Sequence, residues 1–594
     1  MKCPKIPSKK TAWSAAWGGT KVVALVMCCL LLLNSTAAYA GNGHGNGKFA
    51  HDLNLADSDT TSVDVIVQYK TTPNSKHFGR AQGRGARVKH HLSQMHAAAF
   101  SMPANQVAKL ADDDSDITYV TPDRKVKSNG FTYQFEAVNA DVAQSYGYDG
   151  TGVTVAVIDS GIGSHSDLYG RVLYSQDFTG SGTTDDQYGH GTHVAGIIGG
   201  NGYRSTNYCN CFLTYMGIAP KVKFVNLKVL DGNGAGDDSN VIAAIQKAIS
   251  LKSTYNIRVI NLSLGRGIYE SYASDPLTQA VEQAWKAGIF VVVAAGNYGR
   301  DNSDGRNGYG TITSPGNDPY VITVGAMRTF GTDTRSDDVI TSYSSKGPSF
   351  LDHVVKPDIV AAGNKVVSTL APNASLDTNY PTTKVPLTDF QWTTSTSKSG
   401  YYFRLSGTSM AAPQVAGAAA LMLQKNSSLT PDQLKARLMK SAYKNLTLYS
   451  TSTDATTGIT YNEQADIFTV GAGYLDISAA LNNTDSASST VGVAMSPTVS
   501  YNSSTGQVTL VNGSSVLWGS SVLWGSSVVW GSSVIWGSNA SGQSVLWGSS
   551  VIWGSSSTQA FSVLWGSSVA PTSVIWGADT SATSSMSVLT DGDQ

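Results

Sequence analysis

The chain holds 594 residues, 41% hydrophobic and 14% charged, with 60 glycines and a formal net charge of −1. That length exceeds one ordinary domain, and the composition excludes a fibre or a wholly disordered chain. With charge so close to balance, neither nucleic acid nor an anionic membrane is expected as a partner.

Residues 1–40 read as an export signal. Lys2, Lys5, Lys9, Lys10 and Lys21 form a basic leader, the stretch from Val22 to Leu33 is uncharged, and Ala38-Tyr39-Ala40 offers a small-x-small cleavage site. The apolar run is 12 residues, whereas a spanning helix needs about 20. No later segment is apolar and long enough to span, so the expected product is secreted, extracellular or at the cell surface, with no membrane span after signal removal. Five cysteines fall to two, Cys209 and Cys211, once the leader is gone. That rules out a disulfide framework and leaves a local bridge or two free thiols as alternatives.

Residues 41–60 form a flexible lead-in of Gly, Asn, Asp and Thr. Residues 61–127 make a small α+β unit, with strands at Val63–Tyr69 and Ile117–Val120, a helix end at Leu92–Ala99 and a short helix at Gln106–Ala111. From 131 to 483, apolar strand-like runs alternate with helical patterns. The strands are Val153–Ile158, Phe224–Val229, Val259–Leu262, Phe290–Ala294 and Val321–Val324; the helices include Val241–Leu251 and Leu277–Ala287. Continuous apolar strands suit a parallel sheet buried on both faces, so the fold class is α/β, a mainly parallel sheet flanked by helices.

Residues 484–594 are a Ser/Gly/Val/Trp repeat region, without a charge between Asp485 and Asp579. Eight copies of Val-aliphatic-Trp-Gly occur, the first four tryptophans (518, 524, 530, 536) recurring every six residues. In extended chain an even period keeps Val and Trp on one face, a β-prone pattern. Surface attachment or self-association through these rings is a possible role.

Three glycine-framed segments could carry chemistry: Val157-Ile158-Asp159-Ser160-Gly161 at a strand end, His190-Gly191-Thr192-His193-Val194-Ala195-Gly196, and Gly407-Thr408-Ser409-Met410-Ala411-Ala412-Pro413 opening an Ala-rich helix. Amide hydrolysis by serine needs a base for the hydroxyl proton and an acid that fixes the imidazole tautomer; His190 and Asp159 supply these for Ser409. Gly191 and Gly196 allow close packing near the imidazole, and Pro413 is expected in the first helical turn, where its missing N–H costs little. His193 and His165 are read as structural.

In the order Asp, His, Ser, these segments resemble the subtilase family, over residues 131–483. The resemblance implies a serine endopeptidase acting on polypeptides through an acyl-enzyme, with Asp159, His190 and Ser409 catalytic and Asn297, in Ala294-Ala295-Gly296-Asn297, donating to the oxyanion. It also implies substrate binding by Ser263, Leu264, Gly265, Ala294 and Gly296, and by Thr313 at the pocket floor. Residues 61–127 are similar to an inhibitory propeptide, cut off between Asp123 and Phe131.

No cofactor is required for such chemistry. Structural calcium is possible but unsupported, since the loop from Asn201 to Met216 departs from the family's calcium loop; Asp301, Asp304 and Asn307 are read as a solvated loop rather than an oxygen site. The segment from Leu370 to Tyr401 is longer than in compact members and is expected as a lip over the cleft. With no acid at the pocket floor, apolar side chains are the expected preference. The rival reading is a non-catalytic surface or assembly protein built around the Trp repeats.

Overall fold

The computed structural model describes residues 48–50, 53, 55, 60–123, 130–206, 209–302, 306–485, 488–502, 507–511 and 582–594. The export leader, most of the lead-in, the expected cut region, Asp304 and all eight Trp repeats lie outside the described residues. The chain divides into two compact units, Met1–Lys127 and Ser128–Gln594.

The first unit is a four-stranded antiparallel sheet with helices α1 (Ser75–Gly83) and α2 (Ala104–Asp113). Its strands are β1 (Ser62–Tyr69), β2 (Arg87–Leu92), β3 (Ala97–Pro103) and β4 (Ile117–Pro122), in the order β2-β3-β1-β4. The helix end expected at Leu92–Ala99 is instead the end of β2, a 3-10 turn at Ser93–Met95 and the start of β3. Alanine favours helix, yet β3 is paired on both sides, by β1 and β2, and that tertiary pairing overrides local propensity. Val65, Val67, Phe100, Val107 and Leu110 fill this unit's own core.

The second unit is built on an eight-stranded sheet. In chain order its elements are β5 (Thr154–Asp159), β6 (Val172–Asp177), α3 (His190–Gly199), β7 (Lys223–Lys228), α4 (Asp238–Tyr255), β8 (Ile257–Leu262), α5 (Pro276–Lys286), β9 (Phe290–Ala294), β10 (Ile322–Arg328), β11 (Val339–Ile340) and β12 (Ile359–Ala362). The order across the sheet is β11-β10-β9-β8-β5-β7-β6, with β12 also paired to β10; only the short β11 runs antiparallel. Strands β5 and β9 are buried at every residue, as helix-covered parallel strands must be.

A smaller sheet contains β13 (Val366–Thr369) and β14 (Lys398–Leu405), and β14 leads into α6 (Thr408–Lys425). Helix α6 is buried continuously from Met410 to Leu423, the behaviour of a helix apolar all round. Helix α7 (Pro431–Ser441) starts on a Thr430–Gln433 capping box with Pro431 in its first turn.

This unit continues past the boundary expected at 483. The hairpin β15 (Tyr449–Thr453) and β16 (Thr460–Gln464) lies within it. A second hairpin, β17 (Thr498–Asn502) and β18 (Gln507–Val511), bridges to Val354 through Thr498. Helix α8 (Ala582–Asp591) also packs here, with Val588 joining the main core.

Candidate active site

Asp159 ends β5, where open α/β sheets place their sites. Its Oδ1 accepts from Ser160 N at 2.7 Å and faces His190 Nδ1 at 2.8 Å; its Oδ2 has no partner. His190 opens α3 after Gly189, whose φ of +108° turns the chain into the helix. A Cβ on Gly191 would meet Gly161 O at 2.2 Å, so only glycine lets α3 approach the strand end closely enough for this contact. Burial lowers the His190 pKa, but the Asp159 and Asp186 carboxylates outweigh it and the net shift is upward.

Asp186 was not legible as part of the site. Fully buried, it accepts from Ser160 Oγ, Gly189 N, Thr192 N and Thr192 Oγ1 at 2.7–2.8 Å. It therefore ties the Asp159 turn to the first turn of α3. His193 is buried, which pushes its pKa down to about 3, and His165 bonds Tyr401 O and Asp167 N. Both fit the structural roles expected of them.

Ser409 is the second residue of α6, beside the positive end of the helix dipole. Its hydroxyl donates to Ser263 O at 3.1 Å, and Ser263 Oγ donates back to Ser409 O at 2.9 Å. The second bond corrects the expectation for Pro413, which lies inside α6 rather than in its first turn. A residue at 413 would normally donate its N–H to the carbonyl four back. Proline cannot, and this leaves Ser409 O open to Ser263.

Asn297 follows β9. Its Oδ1 accepts from Thr408 N at 2.9 Å and Thr408 Oγ1 at 3.1 Å. Since the oxygen is occupied, the amide presents its NH2 as the donor. Thr408 is thus an orienting group that motif reading missed; its hydroxyl also accepts from Gly296 N.

One cleft of about 380 Å³ brings together His190, Ser409, Asn297, Ser263, Leu264, Gly265, Ala294, Gly296 and Thr313. Asp159 sits behind His190, fully buried. A Cβ on Gly265 would come within 2.5 Å of Thr313 Oγ1, and one on Gly296 within 2.7 Å of its Cγ2, so both glycines and Thr313 enclose one pocket. Arg266 bridges Asp238 and Asp275, and Asp275 also accepts from Ser314 Oγ. Tyr188, Leu230, Asp237, Asp238, Arg266 and Leu589 line the cleft as well; none was singled out from sequence.

Among the residues lining the cleft, none comes from 370–401. Part of the expected lip instead packs on the segment leading into α3, where Ser375 N and Leu376 N donate to Gln187 O and Tyr188 O. Cys209 and Cys211 form a disulfide, and Arg204 in the same loop is held by Asp167 and Ser166. Asn307 donates to Asn462 O, so it is built into the fold rather than solvated. Among the described residues, the only cluster with metal-ligand spacing is His77, Asp114 and Asp116 of the first unit. Arg80 already neutralises Asp114 there, and His77 Nε2 faces Asp116.

The Subtilase family model matches residues 150–473. Serine protease AprX of Bacillus subtilis (strain 168) is 35% identical over 64% of this chain and 83% of its own length. Subtilisin E of the same organism is 32% identical over 65% and 87%. Extracellular serine proteinase of Thermus sp. (strain Rt41A) is 32% identical over 61% and 75%. With its acid, imidazole and hydroxyl segments in the family's order and the match spanning more than half its length, the chain belongs to the subtilase family and is a serine-type endopeptidase.

Proposed function

We propose that the chain is a secreted endopeptidase, made as a precursor, that cleaves polypeptides through Asp159, His190 and Ser409. The 2.8 Å contact between His190 Nδ1 and buried Asp159, in the cleft that also holds Ser409 and Asn297, carries this reading. Substrate entry turns the Ser409 hydroxyl from Ser263 O toward His190, a rotation about one side-chain bond. Ser409 attacks the scissile carbonyl, and His190 takes its proton and hands it to the leaving amine. Asp159 holds the tautomer and stabilises the imidazolium. The oxyanion is bound by the Asn297 amide, oriented by Thr408, together with Ser409 N–H. Water then releases the acyl group, and no cofactor enters the chemistry.

The pocket between Gly265, Gly296 and Thr313 has apolar Leu264 and Ala294 beside it, which favours apolar side chains. Residues 61–127 act as the propeptide in this reading. Their self-contained core supports that, as do the break between units at Lys127 and the sequence resemblance. Secretion rests on the leader; no helix among the described residues is long and apolar enough to cross a membrane. Surface attachment or self-association through the Trp repeats rests on composition alone.

The test is to express the whole chain and its Ser409→Ala variant. The wild type alone should cut between Asp123 and Phe131 and hydrolyse a peptide anilide. Equal processing of both chains would overturn the assignment. In a peptide library, strict selection for Arg or Lys would overturn the apolar preference.

A further inference from the structure

Beyond the segment without described structure at 512–581, the chain returns to the catalytic unit and closes down beside the nucleophile. Val588 enters the main core, while Leu589 enters a second cluster with Ile197 of α3, Met410 of α6 and Tyr188. Leu589 also lines the catalytic cleft. Its carbonyl accepts from Ser406 N at 2.8 Å, three residues before Ser409.

The segment is locked beyond that point. Buried Asp593 accepts from Ser342 N at 2.7 Å and pairs with Arg300, which also pairs with buried Asp454. Asp593 N and O bond the Asn364 side chain at 2.8 and 2.9 Å, and Gln594 N donates to Thr453 O. Gly592 has φ +63°, and a Cβ there would lie 2.4 Å from both Asn364 Oδ1 and Ser406 Oγ. An ion pair, paired backbone and a glycine-only fit, all in three residues, make a built socket.

We propose that Leu589 is a specificity-determining residue, forming the wall of the cleft that faces the leaving-group side of the scissile bond, and that Asp593 is the positioning residue that holds it there. The argument rests on the triad reading above. The residues lining the cleft come from two packing clusters: Leu264, Ala294, Val241 and Leu277 from the main core, Leu589 and Tyr188 from the second. The pocket of Gly265, Gly296 and Thr313 lies beside Leu264 and Ala294 and takes the acyl-side residue. We assign the leaving residue to the side where Leu589 packs with Met410, the residue after Ser409, and its carbonyl holds Ser406 N.

The test acylates Ser409 of the full chain with a peptide methyl ester and offers the acyl-enzyme leucinamide or phenylalaninamide. In each transfer the amine nitrogen bonds to the carbonyl carbon and the Ser409 ester C–O bond breaks. The amine proton passes through His190 to Ser409 Oγ. The two amines partition one common intermediate, so their product ratio does not depend on how fast the intermediate forms.

Leu589→Ala should move the ratio about tenfold toward phenylalaninamide, the scale expected when a pocket gains room for a larger side chain. Leu589→Phe keeps the cluster filled and should move it toward leucinamide. Gly592→Ala, which expels the segment from its socket, should move the ratio in the direction of Leu589→Ala. A merely structural segment would change melting temperature and leave the ratio at the wild-type value in all three, overturning the proposal. A wild-type chain that turns over no ester overturns the triad reading as well; turnover with an unchanged ratio overturns this inference alone.

Discussion

Two buried carboxylates in the second unit have been treated in opposite ways. Asp358 is saturated: Lys356 Nζ at 2.7 Å and Thr323 N at 2.8 Å hold Oδ2, while Ser496 Oγ and Lys435 Nζ hold Oδ1. Burial raises its pKa, but the two lysines outweigh that and the net shift is downward. Asp159 is equally buried but has partners on one oxygen only. The saturated Asp358 ties Lys356, Lys435, Thr323 and Ser496 into one buried cluster. In the proposed mechanism, Asp159 strengthens its hold on His190 as that ring gains charge.

The contrast should break most visibly at the nucleophile. Ser409→Ala should cost about 10⁶ in kcat, the size established for the corresponding serine of subtilisin, with the unfolding free energy little changed. Active-site burst titration checks the first and urea unfolding the second. Asp358→Ala should do the reverse. Two buried lysines lose their counter-charge, and stability should fall by about 3–5 kcal/mol in the same urea experiment.

Next comes Asn297→Ala. Losing one oxyanion donor should lower kcat by about 10²–10³ with KM nearly unchanged, as steady-state kinetics on a peptide anilide would show. The smallest effect sharpens the comparison at its boundary. His190 must be neutral to act as base, and its pKa lies above the ordinary value of about 6.5 because Asp159 and Asp186 outweigh burial. Activity should therefore fall as pH drops through that raised value. Asp186→Asn removes one of the charges favouring the imidazolium, so the acid limb of kcat/KM should move to lower pH. A limb that stays in place or moves upward contradicts the electrostatic role of Asp186.

Much of the site was legible because its chemistry is concentrated in short segments. Asp159, His190, Ser409 and Asn297 each sit in a glycine-framed motif, and the glycines are there for close approach, as the contacts at Gly191, Gly265 and Gly296 demonstrate. The groups that orient them were not legible. Asp186 and Thr408 are ordinary loop or helix-start residues whose roles arise from the partners the fold brings to them. Leu589 lay in a region read as repeats, with nothing local to separate it from the aliphatic residues before it. The helix end expected at Leu92–Ala99 gives way for the same reason, because pairing of β3 on both sides decides the conformation of an alanine run.

By itself the amino-acid sequence determined the α/β class and pointed to the groups proposed to react, since burial of apolar strands and the chemistry of an acid, an imidazole and a hydroxyl are properties of residue type and order. Only the tertiary structure decided which carbonyl Pro413 sets free, that the Asn297 side-chain oxygen is held by Thr408, and that Leu589 lines the cleft. Those outcomes depend on which groups meet across more than a hundred residues of chain, and hydrogen bonds and packing act on distance in space rather than in sequence.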